Sequence, residues 1–466
     1  MRDFSPQIEM QPVESLRPYH GNARTHSKEQ VQQIANSIGQ FGFTNPVLVS
    51  DDNEIIAGHG RVIAARKLGL NEVPTLKLSH LTAEERRAYV LADNKLALNA
   101  GWDTEILAIE LQALIDIDFD VSLTGFSVAE IDLTIDAANE ASPGKPDKED
   151  VVPEPPAEPV SRSGDIWLLG RHKLLCGDAR SRNDIERLMA NSKADLVFTD
   201  PPYNVPVDGH VCGSGSIHHR EFAFASGEMS KKQFTDFLSQ TLGNASAVCR
   251  DGAIAFVCMD WRHMGELLKA GTSVFTELKN LCVWNKTNGG MGTFYRSKHE
   301  LVFVFKVGTA PHTNNFGLGE TGRYRTNVWD YAGISSSGSS RMQELEMHPT
   351  VKPVAMITDA IKDCTRRGEL VLDLFAGSGS TLIAAQACGR MARVAEYDSI
   401  YCDTIIARWE QYTGIPAMLE STNAQFGEVA RQRLMQSENH FNNDQIRNEM
   451  NAIEHQQGVY SAANSS

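Results

Sequence analysis

Val371-Leu-Asp-Leu-Phe-Ala-Gly-Ser-Gly-Ser-Thr-Leu-Ile-Ala-Ala-Gln-Ala-Cys-Gly389 reads as a strand, a glycine turn and a helix in unbroken succession. The apolar run ends at Asp373 to Phe375, and the turn is made by Gly377 and Gly379. Neither glycine carries a Cβ, so the backbone can bend sharply and a ligand can approach closely. The helix that starts near Ser380 presents free N–H groups at its N-terminus. The next strand, Ala392-Arg-Val-Ala395, ends at Glu396, where an acid is placed to bind two ribose hydroxyls. Together these describe a nucleoside-binding βαβ unit. There is no G-x-x-x-x-G-K-[ST], which excludes a P-loop. Leu382 stands where a dinucleotide site carries its third glycine. That departure fits a ligand without a pyrophosphate, such as S-adenosylmethionine.

Outward from this unit, apolar runs recur through the C-terminal part of the chain. They are Asp195 to Thr199, Gly252 to Val257, Leu281 to Trp284, Glu300 to Phe305 and Glu369 to Leu374. Most are apolar on both faces, as strands covered on both sides by helices are, which predicts a doubly wound α/β sheet. Asp195-Leu-Val-Phe-Thr-Asp-Pro-Pro-Tyr-Asn204 then places Asp200-Pro201-Pro202-Tyr203 just past a buried strand. Two consecutive prolines fix φ, stiffen the loop and leave carbonyls free to point into a cleft. An exocyclic amine on a nucleobase is a poor nucleophile, because its lone pair is delocalised into the ring. A carboxylate at Asp200 and the Pro201 carbonyl can accept its two N–H bonds and free that lone pair, with Tyr203 stacking on the base. A base in a duplex reaches such a pocket only by leaving the stack. The glycine-bearing loop Val205 to Ser226 is a candidate for movement over it.

With both motifs in hand, the chain resembles the amino-group (adenine-N(6)/cytosine-N(4)) DNA methyltransferases. The catalytic motif precedes the cofactor motif, the order of that family's β group. The resemblance covers roughly Gly164 to Gly414 and implies a Rossmann-like S-adenosylmethionine-dependent domain acting on double-stranded DNA. It implies that Asp178, closing Gly164-Asp-Ile-Trp-Leu-Leu-Gly-Arg-His-Lys-Leu-Leu-Cys-Gly-Asp178, lies near the cofactor's adenine. In Met347-His-Pro-Thr-Val-Lys-Pro353, Lys352, Pro353 and the helix that follows are expected to meet the cofactor's carboxylate. Asp373, Phe375, Gly377, Gly379 and Glu396 complete the cofactor set. Gly289 to Glu300 also matches related enzymes. The stretch Val307 to Glu346 stands where the β group places target recognition, which makes Arg323, Arg325 and Arg341 candidate DNA contacts. Asp200 favours adenine, since the cytosine enzymes more often carry Ser there.

The N-terminal region resembles ParB-type and sulfiredoxin-like α+β domains through Asn22-Ala-Arg24, Asn45-Pro46 and Ile55-Ile-Ala-Gly-His-Gly-Arg61. Gly58, His59, Gly60 and Arg61 open a helix that would suit a phosphate. His59 and Gly60 replace the acid and arginine usual in ParB proteins, so DNA or nucleotide binding is expected rather than hydrolysis. Short strands are expected around an Asp51-Asp52-Asn53 turn, and Ser27-Lys-Glu-Gln30 is an N-cap signature.

Prolines at 143, 146, 153, 155, 156 and 159 mark a boundary. The expected division is a ParB-like domain over 1–138, a Pro-rich acidic linker over 139–163, the methyltransferase domain over 164–415 and a partly disordered polar tail over 416–466. The formal net charge of −15 means that basic residues must gather at one face if DNA binds. No apolar run approaches the roughly 18 residues that span a bilayer, and no secretory signal opens the chain, so a cytoplasmic protein without membrane partners is expected. The eight cysteines, none in C-x-x-C, read as reduced thiols. No metal is expected, because His210, His218 and His219 lack a fixed ligand geometry. The sequence leaves open a homodimer and a cognate restriction nuclease. Rival readings are a cytosine-N(4) enzyme, a protein-glutamine or RNA methyltransferase, and a ParB-like DNA-binding regulator without catalysis.

Overall fold

The computed structural model describes residues 7–117, 119–140, 148–205, 227–286, 294–319, 322–332 and 351–435. The chain divides into two units, Met1–Pro143 and Gly144–Ser466.

The first unit holds β1 (Ile8–Pro12), β2 (Arg17–Pro18), β3 (Val47–Val49), β4 (Glu54–Ala57) and β5 (Glu72–Lys77) in one mixed sheet, ordered β1-β5-β3-β4-β2. β3 and β4 pair antiparallel across the expected turn, where Asn53 takes a left-handed φ of 59°. Asn tolerates that region because its short side chain can bond locally. Val13, Leu16, Val47, Val49, Ile55, Val62 and Val73 form the core on one face. The helix Lys28–Phe41 starts on Ser27, whose side chain accepts from Gln30 N as its sequence implied; such a cap contributes about 1 kcal/mol. The helix Ala83–Leu98 opens with a full capping box between Thr82 and Glu85. Helices Thr104–Asp116 and Val128–Glu140 pack through Leu111, Ile131 and Ile135.

Among the described residues, the second unit is built on an eleven-stranded sheet. Its strands are β6 (Ile166–Leu169), β7 (His172–Cys176), β8 (Ala194–Thr199), β9 (Cys249–Met259), β10 (Glu277–Asn285), β11 (His299–Lys306), β12 (Val328–Asp330), β13 (Leu370–Asp373), β14 (Met391–Glu396), β15 (Met418–Leu419) and β16 (Ala424–Gln425). The order is β12-β10-β11-β9-β8-β13-β14-β7-β6-β15-β16. β9, β8, β13, β14 and β7 run parallel, while β10 and β11, and β6 with β7, pair antiparallel. Alternate residues of β13 enter opposite cores. Val371 packs with Ile357, Leu382 and Ile405, while Leu370 and Leu372 pack with Ile185, Phe234 and Leu267. Helices Val354–Cys364, Ser380–Ala387 and Ser399–Thr413 therefore cover one face, and Arg182–Met189, Lys231–Ala247 and Met264–Val274 cover the other. This is the expected doubly wound sheet, and each apolar run named from the sequence is a strand in it. The described cysteines are buried and unbridged. Among the described residues no helix is long and apolar enough to cross a membrane.

Two boundaries differ from expectation. Residues 148–163 of the Pro-rich linker are held against the rest of the second unit. Asp403 accepts from Val160 N and Ser161 N, Arg408 donates to Glu149 O, and Tyr412 donates to the Glu149 carboxylate at 3.1 Å. Proline denies this stretch its own ladder but leaves its other backbone groups available to a neighbouring helix. The tail reading also begins too early. β15, β16 and a helix over 426–435 belong to the fold. Phe426 meets Trp167 edge-on, Val429 is buried, and Arg433 bonds Asp165 at 2.5 and 3.1 Å. Residues 436–466 lie outside the described residues.

Candidate functional site

β8 and β13 are neighbours in the sheet, yet the helices that follow them leave to opposite faces. Such a divergence opens a crevice at the carboxyl ends of the strands. Both motifs sit there. One cavity is lined by Asp200 to Tyr203 from the loop after β8, by Phe375, Gly377 and Ser378 from the turn after β13, and by Glu396 at the end of β14. Asp178, past β7, lines the same cavity.

Buried side chains stitch the two loops together. The Asp373 carboxylate accepts from Thr199 Oγ1 at 2.9 Å, Thr381 Oγ1 at 2.7 Å and Phe375 N at 3.0 Å. Burial pushes its pKa up to about 6 against those three donors. Gly377 and Gly379 take φ of 53° and 84°, where a Cβ is strained, and a Cβ on Gly379 would sit 3.1 Å from Ile405. Glu396 accepts from Gly377 N at 2.8 Å and Asp398 N at 2.9 Å, so the acid itself shapes the glycine turn. Burial raises Glu396 to about 7. Asp178 is held bidentate by Arg180 and stays only partly buried where it lines the cavity.

Across the cavity, four charges and a tyrosine form a compact cluster. Asp200 accepts from Tyr203 OH at 2.5 Å and from Lys352 Nζ at 2.5 Å. Lys352 also meets Glu300 at 3.1 Å, and Glu300 accepts in turn from Lys286 and, at 3.2 Å, from Tyr203 OH. Lys352 is only 5 % exposed. Burial raises the Asp200 pKa, and Lys352 opposes the rise. For Glu300 burial acts the same way, but Lys352 and Lys286 outweigh it and bring the pKa to about 2. Burial would strip the proton from Lys352, yet Asp200 and Glu300 hold its pKa above the ordinary value.

Lys352, expected at the cofactor's carboxylate, lines the same cavity. Its ammonium serves the two carboxylates, and Val354 N, which opens the helix after Pro353, is taken by Asp150 at 3.2 Å. Arg323 and Arg325, expected as DNA contacts, pair with acids of the fold. Arg323 donates to Asp363 at 2.9 Å and Asp359 at 3.3 Å; Arg325 donates to Asp363 at 2.8 Å. Arg323 is buried, and both clamp the segment before β12 onto the helix Val354–Cys364. Arg341, the loop from 206 to 226 with His210, His218 and His219, and residues 347–350 lie outside the described residues.

In the first unit Gly58, at φ 101°, caps the helix His59–Lys67 as expected. Arg61 donates inward to Asn45 O and Pro46 O, and His59 Nε2 accepts from Tyr19 N. The Arg61 guanidinium and the His59 ring, two of the groups offered as a phosphate site, thus bond within the first unit.

Sequence reading passed over Glu300, Lys286, Thr199, Thr381 and Asn204. Asn204 takes φ 54° and bonds Met229 O, Met229 N and Gly227 N, fixing the base of the segment that follows Val205. An acid heading an apolar run just after Lys298 and His299 was the available signal for Glu300.

Residues 194–408 match the family described as DNA methylase, residues 4–95 the ParB N-terminal domain, and residues 105–163 the ParB-methyltransferase HTH domain. The ParB-like nuclease domain-containing protein YnaK of Escherichia coli (strain K12) is 55 % identical over 80 residues, 17 % of this chain and 92 % of that protein. The DNA adenine methyltransferase YhdJ of the same organism is 25 % identical over 253 residues, 49 % of this chain and 79 % of YhdJ. Among solved structures, the M1.HpyAVI-SAM complex is similar at 19 % identity and a TM-score of 0.38, over 50 % of this chain and 97 % of that one.

Proposed function

We propose that this chain, which belongs to the DNA amino-methyltransferases and carries a ParB-like N-terminal domain, methylates the exocyclic amine of adenine in a specific double-stranded DNA sequence. The observation that carries this reading is the single cavity bounded by Asp200 on one side and by Gly377 and Glu396 on the other. S-adenosylmethionine, when bound, supplies an electrophilic methyl group on a sulfonium. The residues present fit it: a glycine turn for close approach, Glu396 for the ribose hydroxyls, and no third glycine for a pyrophosphate.

Asp200 and the Pro201 carbonyl accept the two N–H bonds of the target amine, which moves its nitrogen toward tetrahedral geometry. Tyr203, stiffened by Pro201 and Pro202, offers a ring face to the base. Positive charge growing on the nitrogen is stabilised by the Asp200 anion in a site of low dielectric. The target base leaves the stack to reach this depth, at a cost of a few kcal/mol. Adenine is favoured because Asp, not Ser, heads the motif, and YhdJ carries the name of an adenine enzyme.

The test is direct. The purified chain is incubated with methyl-labelled S-adenosylmethionine and duplex DNA, and the DNA is digested to nucleosides. Label in N6-methyladenine supports the reading. Label in N4-methylcytosine overturns the choice of base. No transfer to any duplex favours a ParB-like binding protein.

A further inference from the structure

We propose that Lys352 is a positioning residue that keeps Asp200 ionised at rest and shifts onto Glu300 when the target amine takes its place on Asp200. This rests on the methyl-transfer reading above. The geometry behind it is a chain of alternating charge, Lys286–Glu300–Lys352–Asp200, in which the buried ammonium touches one carboxylate at 2.5 Å and the other at 3.1 Å.

Asp200 can work on the amine only as an acceptor, hence as a carboxylate. Its surroundings oppose that state. Tyr203 from its own loop, Glu300 on β11, Asp373 on β13 and Cys258 on β9 bring no positive charge, and Glu300 and Asp373 add negative charge. Lys352 is the cation facing Asp200 among the described residues, with Lys286 behind Glu300. A permanent ion pair would weaken Asp200 as an acceptor and oppose positive charge growing on the amine. Glu300 removes that conflict by giving the ammonium a second carboxylate within the same reach. Lys286, in turn, holds Glu300 ionised so that it can receive Lys352. The four charges sum to zero in either arrangement, so the handover moves a cation without creating net buried charge.

The experiment compares wild type with Lys352→Met, Lys352→Arg and Glu300→Gln in the full chain. Three quantities are read: kcat and KM from pH 5 to 9, cofactor affinity by calorimetry, and Asp200 ionisation by infrared difference against Asp200→Asn. Lys352→Met is expected to lower kcat at pH 7.5 by about 100-fold, to leave cofactor affinity within about threefold, and to regain activity as pH rises. Its Asp200 carboxylate band should appear at least about one pH unit higher than in wild type. Lys352→Arg should recover roughly tenfold of the lost rate by restoring charge. Glu300→Gln should lower kcat with little change in KM. Cofactor affinity lost in Lys352→Met would instead place Lys352 in the cofactor site, and an unshifted Asp200 band would overturn the proposal. If wild type transfers no methyl group, the functional reading fails, while the infrared comparison still decides whether Lys352 holds Asp200 ionised.

Discussion

Two clusters in the second unit have the same ingredients, two acids, two cations and a tyrosine, and differ in what they face. One joins Asp200, Glu300, Lys352, Lys286 and Tyr203; the other joins Asp359, Asp363, Arg323, Arg325 and Tyr331. Asp200, Tyr203 and Lys352 line the cavity shared with the glycine turn, whereas none of the second five does. The cations differ to match. Arginine's planar fork suits a fixed clamp with several donors, and here it pins the segment before β12 to one helix. Lysine is a compact point charge on a flexible stem, suited to a group that changes partners. The first cluster is therefore open to a ligand, whereas the carboxylates of the second are taken by arginines within the fold.

Substitutions can break that contrast. The largest effect is expected from Asp363→Ala, which leaves Arg323 and Arg325 buried without their main acceptor. Removing one partner of such a pair costs about 3–5 kcal/mol, read as a lower midpoint in denaturant unfolding. Unchanged stability would remove the structural role assigned to the arginines. Asp200→Asn should do the reverse, lowering methyl transfer by roughly two to three orders of magnitude with stability and cofactor affinity close to wild type. Loss of folding in that variant would erase the distinction between the clusters.

Glu396→Gln sharpens the comparison on the cofactor side. A charged hydrogen bond is worth about 1.5–3 kcal/mol, so affinity should fall about 10- to 100-fold. Burial raises the Glu396 pKa to about 7 before the ligand arrives, and the ionised acid is the stronger acceptor for two hydroxyls. Wild-type affinity should therefore be highest above pH 7 and decline as pH falls through it, while the Gln variant shows no such decline. Identical pH profiles would contradict the role. The smallest effect belongs to Tyr331→Phe. It removes one donor to Asp359 and should cost about 1 kcal/mol of stability with no change in turnover. A large drop in turnover would tie the arginine cluster to the chemistry.

What sequence could show divides along the same line. The glycine turn, the diproline loop and the strand-end acid were legible, because backbone conformation and local spacing fix them. The apolar runs gave the sheet for the same reason. Partners far apart in the chain were not legible. Lys352 meets Asp200, and Arg433 meets Asp165, only after the sheet forms. The docked linker went unread because Asp403, Arg408 and Tyr412 hold it from a distant helix. Arg323 and Arg325 looked like DNA contacts since arginines in a polar insert usually face solvent. A signal against this was present: Asp359 and Asp363 stand one turn apart on a helix otherwise buried through Val354, Met356, Ile357 and Ile361. Acids on such a face need cations.

The central claim is that one cavity brings an S-adenosylmethionine methyl group to the Asp200 carboxylate. A crystal structure of the protein with that cofactor tests it most directly. The account predicts the ribose hydroxyls on Glu396, the chain bent over Gly377, and the sulfonium methyl opening toward Asp200 with room for one amine nitrogen at about 3–3.5 Å. A cofactor bound away from Glu396, or with its methyl group turned from Asp200, would contradict it.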